Sequence, residues 1–169
     1  DPLTGMPNRR HLESQFVEMH AMAQQKGEPM TLALLDVDHF KLVNDKYGHF
    51  IGDAVLKEIA NLLLSSIEPG MLASRFGGEE FALLMPGSDV KEAAVLIADI
   101  LEELAQTPMR LDSIKITVTA RIGLVAVEDD ESWGSAYIAC DEALYEAKTG
   151  GRNRFVISTR TPQHGSTPS

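Results

Sequence analysis

Two acids, Asp36 at the end of an apolar run and Glu79 after a glycine pair, stand out among the 169 residues, with Lys148 and Arg152 as two cations spaced four apart. Carboxylate oxygens are the hard ligands that Mg²⁺ prefers, and Lys and Arg neutralise phosphate oxygens. Gathered at one place, they would make a metal–polyphosphate site. There, positioning and charge neutralisation do most of the work of phosphoryl or nucleotidyl transfer. Each residue also has a plainer reading. An acid after a strand commonly caps a turn, Gly77-Gly78 can be a simple tight turn, and Lys148 and Arg152 suit a solvated helix end. The fold decides between these readings.

Residues 7–26 have Leu12, Phe16, Met19 and Ala23 at helical spacing. The run TLALLDV at 31–37 predicts a buried central strand. A short polar helix and turn follow as far as His49, and then a helix over 52–67. Residues 71–86 predict strand, Gly77-Gly78 turn and strand, because that pair tolerates the positive φ a short hairpin needs. A helix over 89–105, a strand over 114–127, a helix over 132–149 stopped by Gly150-Gly151, and a last strand from Arg154 to Ile157 complete the series. The domain is expected over 1–157, with a disordered Ser/Thr/Pro-rich tail over 158–169.

The order predicts an α+β fold with a ferredoxin-like βααββαβ core and a central, mostly antiparallel sheet flanked by helices. If the first strand runs up to Asp36, a right-handed crossover makes the second strand run up as well. The Gly-Gly turn then lies at the top. The third strand descends beside the first from Glu79-Glu80, so Glu79 comes close to Asp36. Helix 132–149 must climb back to the top, which delivers Lys148 and Arg152 to the same edge.

The chain has 15 basic and 25 acidic residues, a formal net charge of −10. That balance disfavours duplex binding, and nucleic acid is not expected as a partner. The lone Cys140 excludes an internal disulfide framework and suits a reducing compartment. A cytoplasmic location is expected, as a free domain or as the cytoplasmic part of a membrane-attached protein.

Four ordered blocks carry a resemblance. RFGGEEF at 75–81 resembles the GGDEF/GGEEF motif of diguanylate cyclases. DPLTGMPNRR at 1–10, DVDHFKLVNDKYGHFIGD at 36–53 and DEALYEAKTGGRN at 141–153 resemble that family's other blocks. The resemblance implies a nucleotide-cyclase, polymerase-palm-like core that condenses two GTP into cyclic di-GMP. It implies Mg²⁺, with Mn²⁺ as a substitute, held by Asp36, Glu79 and the Val37 carbonyl. Glu80 is either a further ligand or a helper in deprotonating the 3′-hydroxyl. Asn44 and Asp53 would read guanine, since a carboxylate accepts from N1–H and N2–H together. Phe40 and Lys41 would hold phosphates, Lys148 and Arg152 would neutralise the β- and γ-phosphates, and Gly77 and Gly78 would let the backbone approach the nucleotide. Asp38, Asn8 and Arg9 match the blocks as structural residues. His39 is expected to be exposed, His49 to hold its turn, and Cys140 to be plain core.

Catalysis would need an antiparallel homodimer, because one domain presents half the geometry. An upstream sensory or dimerising segment is expected outside this chain, and the isolated domain is expected to be weakly active. Two departures from the family pattern stand out. Glu68-Pro69-Gly70-Met71 replaces the RxxD product-inhibition site, so feedback through it is not expected. Arg121 in TARIG replaces a small residue; if it points inward, it touches phosphates or disturbs the site. The alternative function is a catalytically silent GTP-binding regulatory domain. A product receptor is disfavoured by the missing RxxD, and a mononucleotide cyclase by the four blocks.

Overall fold

The run at 31–37 has no polar face to show to water, and the fold buries it completely. The structure, a computed structural model, describes residues 1–160. The elements run α1 (Arg9–Gln25), β1 (Met30–Val37), α2 (Phe40–Tyr47), α3 (His49–Ser66), β2 (Leu72–Gly77), β3 (Glu80–Pro86), α4 (Val90–Gln106), β4 (Met109–Leu111), β5 (Ile114–Ile116), β6 (Ala120–Ala126), α5 (Trp133–Thr149) and β7 (Arg154–Ile157). The main sheet has the order β2-β3-β1-β6-β7, with β1 in the middle and every residue of it buried. Strand β1 is antiparallel to both β3 and β6, and β7 is parallel to β6. The α+β class and the mostly antiparallel central sheet match the expectation.

Alternation along β1 divides the core in two. Ala33, Leu35 and Val37 join Val55, Ile59 and Leu63 of α3 and Ile97, Ile100 and Leu104 of α4. Leu32 and Leu34 face the other way, onto Leu12 and Phe16 of α1 and Cys140 and Leu144 of α5. Helix α5 lies close to the sheet because Gly123 has no side chain. A Cβ there would sit 2.4 Å from the Leu144 nitrogen and 2.5 Å from the Cys140 carbonyl. The Cys140 thiol is fully buried, 3.2 Å from the Gly123 carbonyl, and burial pushes its pKa up.

Three expectations change. The strand expected over 114–127 is broken. Residues 114–116 form a separate two-stranded hairpin with β4, turning at Asp112 with φ 55°. The reason lies at residues 117–119, where the Thr119 carbonyl accepts from the Asp38 backbone N–H at 2.9 Å and its hydroxyl donates to the Asp38 carboxylate at 2.7 Å. The β-branched residues of 114–127 favour strand throughout, but long-range hydrogen bonds interrupt it. Helix α3 begins at His49 rather than at residue 52, directly after Gly48 with φ 88°. After β7, Ser158 donates to the Leu124 carbonyl at 2.8 Å and Arg160 grips Glu131. The packed structure therefore runs past 157. The rest of the expected tail, 161–169, lies outside the described residues.

Candidate active site

Strand register builds the site. Asp36 at the end of β1 is paired across the sheet with Glu80 on β3 and with Arg121 on β6. Directly opposed residues in antiparallel strands share a face, with Cβ atoms about 4.5–5.5 Å apart. Glu80, Asp36 and Arg121 therefore form one row on the face covered by α1 and α5. Glu79 stands in the turn before β3, and its carbonyl accepts from the Val37 N–H at 3.3 Å. The sequence reading put Glu79 beside Asp36; in register terms the direct partner is Glu80.

The turn between β2 and β3 has Gly77 at φ 136° and Gly78 at φ 54°. Arg75 clamps it: Nε and Nη2 donate to the Gly78 carbonyl at 3.1 and 2.8 Å, while Nη1 pairs with Asp1 at 3.1 Å. Sequence reasoning missed this role, although Arg75 belongs to the quoted motif. It also missed Asp141, which lies close enough to Glu80 to perturb it. The signal was available, because Asp141 and Lys148 are seven residues apart and so lie two turns apart on one helical stripe.

Arg121 points inward. Its Nη2 lies 2.9 Å from Asp36 Oδ2 and its Nη1 3.2 Å from Asp38 Oδ1, and the residue is 9% exposed. Burial raises the Asp36 pKa to about 7; Arg121 opposes that rise, and Glu79, Glu80 and Asp38 add to it. Glu80 is also raised, by burial first and then by Asp141 and Glu79, against Arg9 and Arg121.

Asp38 is fully engaged. Besides Arg121, it accepts from the Thr119 hydroxyl at 2.7 Å and from the Asn153 N–H at 2.8 Å. It thus ties β1, β6 and the segment after α5 into one corner. That segment is left-handed at Arg152 (φ 62°) and Asn153 (φ 44°), and the Arg152 N–H bonds the Ala147 carbonyl. Arg152 is thereby held at the Asp36 edge, and Lys148 sits exposed on the last turn of α5 at the same end.

On the other side of the edge, α2 begins at Phe40, which is buried, and Lys41, which is exposed. Asn44 lies against Gly52 so closely that a Cβ at Gly52 would fall 1.8 Å from Asn44 Oδ1. Asp53, the next residue, is exposed. His39 is exposed, at φ 54°. Asn8 caps α1 by accepting from His11, and Arg9 lies 4.5 Å from the Phe76 ring centroid. Glu68 and Met71 close a tight turn between α3 and β2, with the Met71 N–H on the Glu68 carbonyl at 3.0 Å.

Among the described residues, three buried side-chain atoms lack a hydrogen-bond partner: Asp36 Oδ1, Asn44 Oδ1 and Arg152 Nε. Such groups are costly to leave unsatisfied, so each calls for a reason. The donor set fits a hard divalent cation. It offers a buried carboxylate oxygen without a partner, with two further glutamates close enough to perturb that carboxylate. Yet among the described residues no three His, Cys, Asp or Glu side chains form a ready-made cage. Arg121 occupies the second oxygen of Asp36.

Residues 1–154 match the family model described as "Diguanylate cyclase, GGDEF domain". Diguanylate cyclase DgcP of Pseudomonas aeruginosa is 36% identical over 158 residues, which are 94% of this chain and 24% of that protein. Diguanylate cyclase VdcA of Vibrio cholerae is 37% identical over 160 residues, 92% of this chain and 46% of that protein. The chain thus spans about a quarter to a half of these curated relatives. Among solved structures, the GGDEF domain of DgcB from Caulobacter crescentus, in complex with c-di-GMP, superposes with a TM-score of 0.89 at 32% identity, covering 95% of this chain and 93% of that one. The active GGEEF domain of a diguanylate cyclase from Vibrio cholerae gives 0.85 at 32% identity, covering 92% and 99%.

Proposed function

The chain belongs to the GGDEF family of diguanylate cyclase domains, and from that premise we propose that it condenses two GTP molecules into cyclic di-GMP with release of pyrophosphate. The observation that carries this reading is the trio of unsatisfied atoms. Asp36 Oδ1 is an acceptor suited to a cation, Asn44 Oδ1 is an acceptor suited to a base N–H, and Arg152 Nε is a donor suited to phosphate. They come from three separate segments, and they match the three parts of a metal-bound guanine nucleotide.

Mg²⁺, or Mn²⁺ in its place, would be held by Asp36, Glu79 and the Val37 carbonyl, and supplies charge neutralisation at the reacting phosphate when bound. The chain's own residues do the rest. Asn44 and Asp53 orient guanine. Gly77 and Gly78 let the turn backbone approach the nucleotide, and Phe40 and Lys41 hold phosphates at the start of α2. Lys148 and Arg152 neutralise the leaving pyrophosphate. Glu80 takes the 3′-hydroxyl proton or contributes a further oxygen ligand; its raised pKa, set first by burial, suits the former role. The 3′-oxygen of one GTP then attacks the α-phosphorus of the other across an antiparallel homodimer, and a second transfer closes the ring. With Glu68-Pro69-Gly70-Met71 before the glycine motif, product feedback through an RxxD site is not expected.

Arg121 on Asp36 favours a second reading, a GTP-binding regulatory domain without turnover. One assay separates the two. A tethered dimer is incubated with GTP and Mg²⁺, and products are resolved by chromatography. Cyclic di-GMP supports the enzyme, whereas bound but unchanged GTP supports the regulatory module.

Among the described residues no helix is long and apolar enough to cross a membrane. Placement of the domain in the cytoplasm remains part of the proposal.

A further inference from the structure

The row Glu80–Asp36–Arg121 places a permanent cation in direct contact with a carboxylate proposed to hold the metal. Arginine stays protonated at any working pH. Its guanidinium is pinned at two points, Asp36 Oδ2 at 2.9 Å and Asp38 Oδ1 at 3.2 Å, and is nearly buried. Asp38 has no spare capacity to draw it further away, since its other oxygen already accepts from Thr119 and Asn153. Besides Asp38, the charges acting on the row are Glu79, beside both Asp36 and Glu80, and Asp141 and Arg9, beside Glu80.

We propose that Arg121 is a positioning residue that restricts Asp36 to one free oxygen and opposes binding of a divalent cation until a nucleotide is present. This rests on the reading of Asp36 as a metal-holding residue. Two arrangements are open to an arriving cation, and both have the same sign. If the cation takes Asp36 Oδ1 and Arg121 stays on Oδ2, two positive centres share one carboxylate in a low-dielectric pocket and repel. If the cation takes both oxygens, the buried ion pair must break first. A triphosphate reverses the balance, because its negative charge offsets both cations. Metal and nucleotide therefore bind with positive coupling, and the protein alone holds the ion poorly.

The test measures Mn²⁺ binding directly, by the loss of free-ion electron paramagnetic resonance signal, first without nucleotide. Removing the cation with Arg121→Ser should tighten Mn²⁺ at least about 10-fold, equivalent to about 1.4 kcal/mol. Arg121→Gln guards against a folding defect in the serine variant and should tighten binding similarly, while Arg121→Lys should remain weak. With saturating 3′-deoxy-GTP, which has no attacking hydroxyl, the gap between wild type and Arg121→Gln should narrow to within about 3-fold. Folded Ser or Gln variants that bind Mn²⁺ no more tightly than wild type would overturn the proposal. A gap unchanged by nucleotide would overturn the coupling. The underlying site is checked separately with Arg121→Gln/Asp36→Asn. Loss of the tightened Mn²⁺ binding places the ion at Asp36, whereas retention removes the site reading and this inference with it.

Discussion

The two ends of the central sheet treat buried charge in opposite ways. At the far end, near the start of β1 and the end of β6, Arg160 forks onto Glu131, reaches the Ala126 carbonyl at 2.8 Å and lies 3.8 Å from Glu128. Glu131 also accepts from the Ser135 hydroxyl and the Glu128 N–H. Burial works to raise the Glu131 pKa, but the hydrogen bonds from Arg160, Glu128 and Ser135 outweigh it, and the net shift is downward. At the Asp36 end, burial wins and the pKa rises to about 7, even with Arg121 in contact. One end is satisfied by the chain itself. The other holds all three unsatisfied buried side-chain atoms found among the described residues. An end that pairs its charges stabilises the fold, and an end that leaves them open can receive a ligand.

The sharpest way to break this contrast is at the open end. Asp36→Asn and Glu79→Gln should each lower cyclic di-GMP formation by about 10²–10³-fold, measured on a tethered dimer, while the folded state persists. Wild-type turnover in either variant would remove the distinction between the two ends. A subtler probe is Gly52→Ala. Its methyl group falls on Asn44 Oδ1, so the amide must rotate away. A base contact worth about 1–3 kcal/mol is then lost, which raises the KM for GTP roughly 10–100-fold; steady-state kinetics with circular dichroism as a folding control checks it.

At the closed end the effect should be on stability alone. Arg160→Ala should lower unfolding free energy by about 1–2 kcal/mol in denaturant titrations, discounted because Arg160 is partly exposed, with kcat unchanged.

The smallest effect is in pH. Glu131, with its pKa lowered, stabilises the fold above the ordinary glutamate value of 4.5, and that contribution is lost as pH falls below it. Asp36, with its pKa raised, does the reverse. In chelator-treated protein its charge costs stability above about pH 7, and the cost is relieved as pH falls toward 3.8. Metal-free Asp36→Asn should therefore gain about 1 kcal/mol over wild type at pH 8, a gain that vanishes by about pH 4. Glu131→Gln should lose stability at pH 8 and converge with wild type in acid. Matching pH profiles for the two variants would show that the ends do not differ.

Much of this was legible in the chain. The buried central strand followed from an apolar run with no polar alternation, the hairpin from two adjacent glycines, and the convergence of Asp36, the glutamates, Lys148 and Arg152 on one edge from crossover handedness. Those are local or topological rules that need no coordinates, and of the two glutamates they brought only Glu79 to Asp36. Register was not legible, because an acid pair at the strand ends looks the same whether Glu79 or Glu80 stands opposite. The break at 117–119 was hidden as well, since Asp38, distant in sequence, imposes it. The orientation of Arg121 was half visible. Strand alternation sets Arg121 on the face opposite its neighbour Ile122, but only the packed sheet set it against Asp36 and Asp38.

The order of residues alone determined the family, the class of fold and the groups available for chemistry, because motif spacing and hydrophobic period are properties of the chain. Which oxygens stay free and which cation takes the others was decided only when the strands paired. Hydrogen bonds and ion pairs between residues more than 80 positions apart depend on distances of a few tenths of an ångström, and no spacing rule contains them.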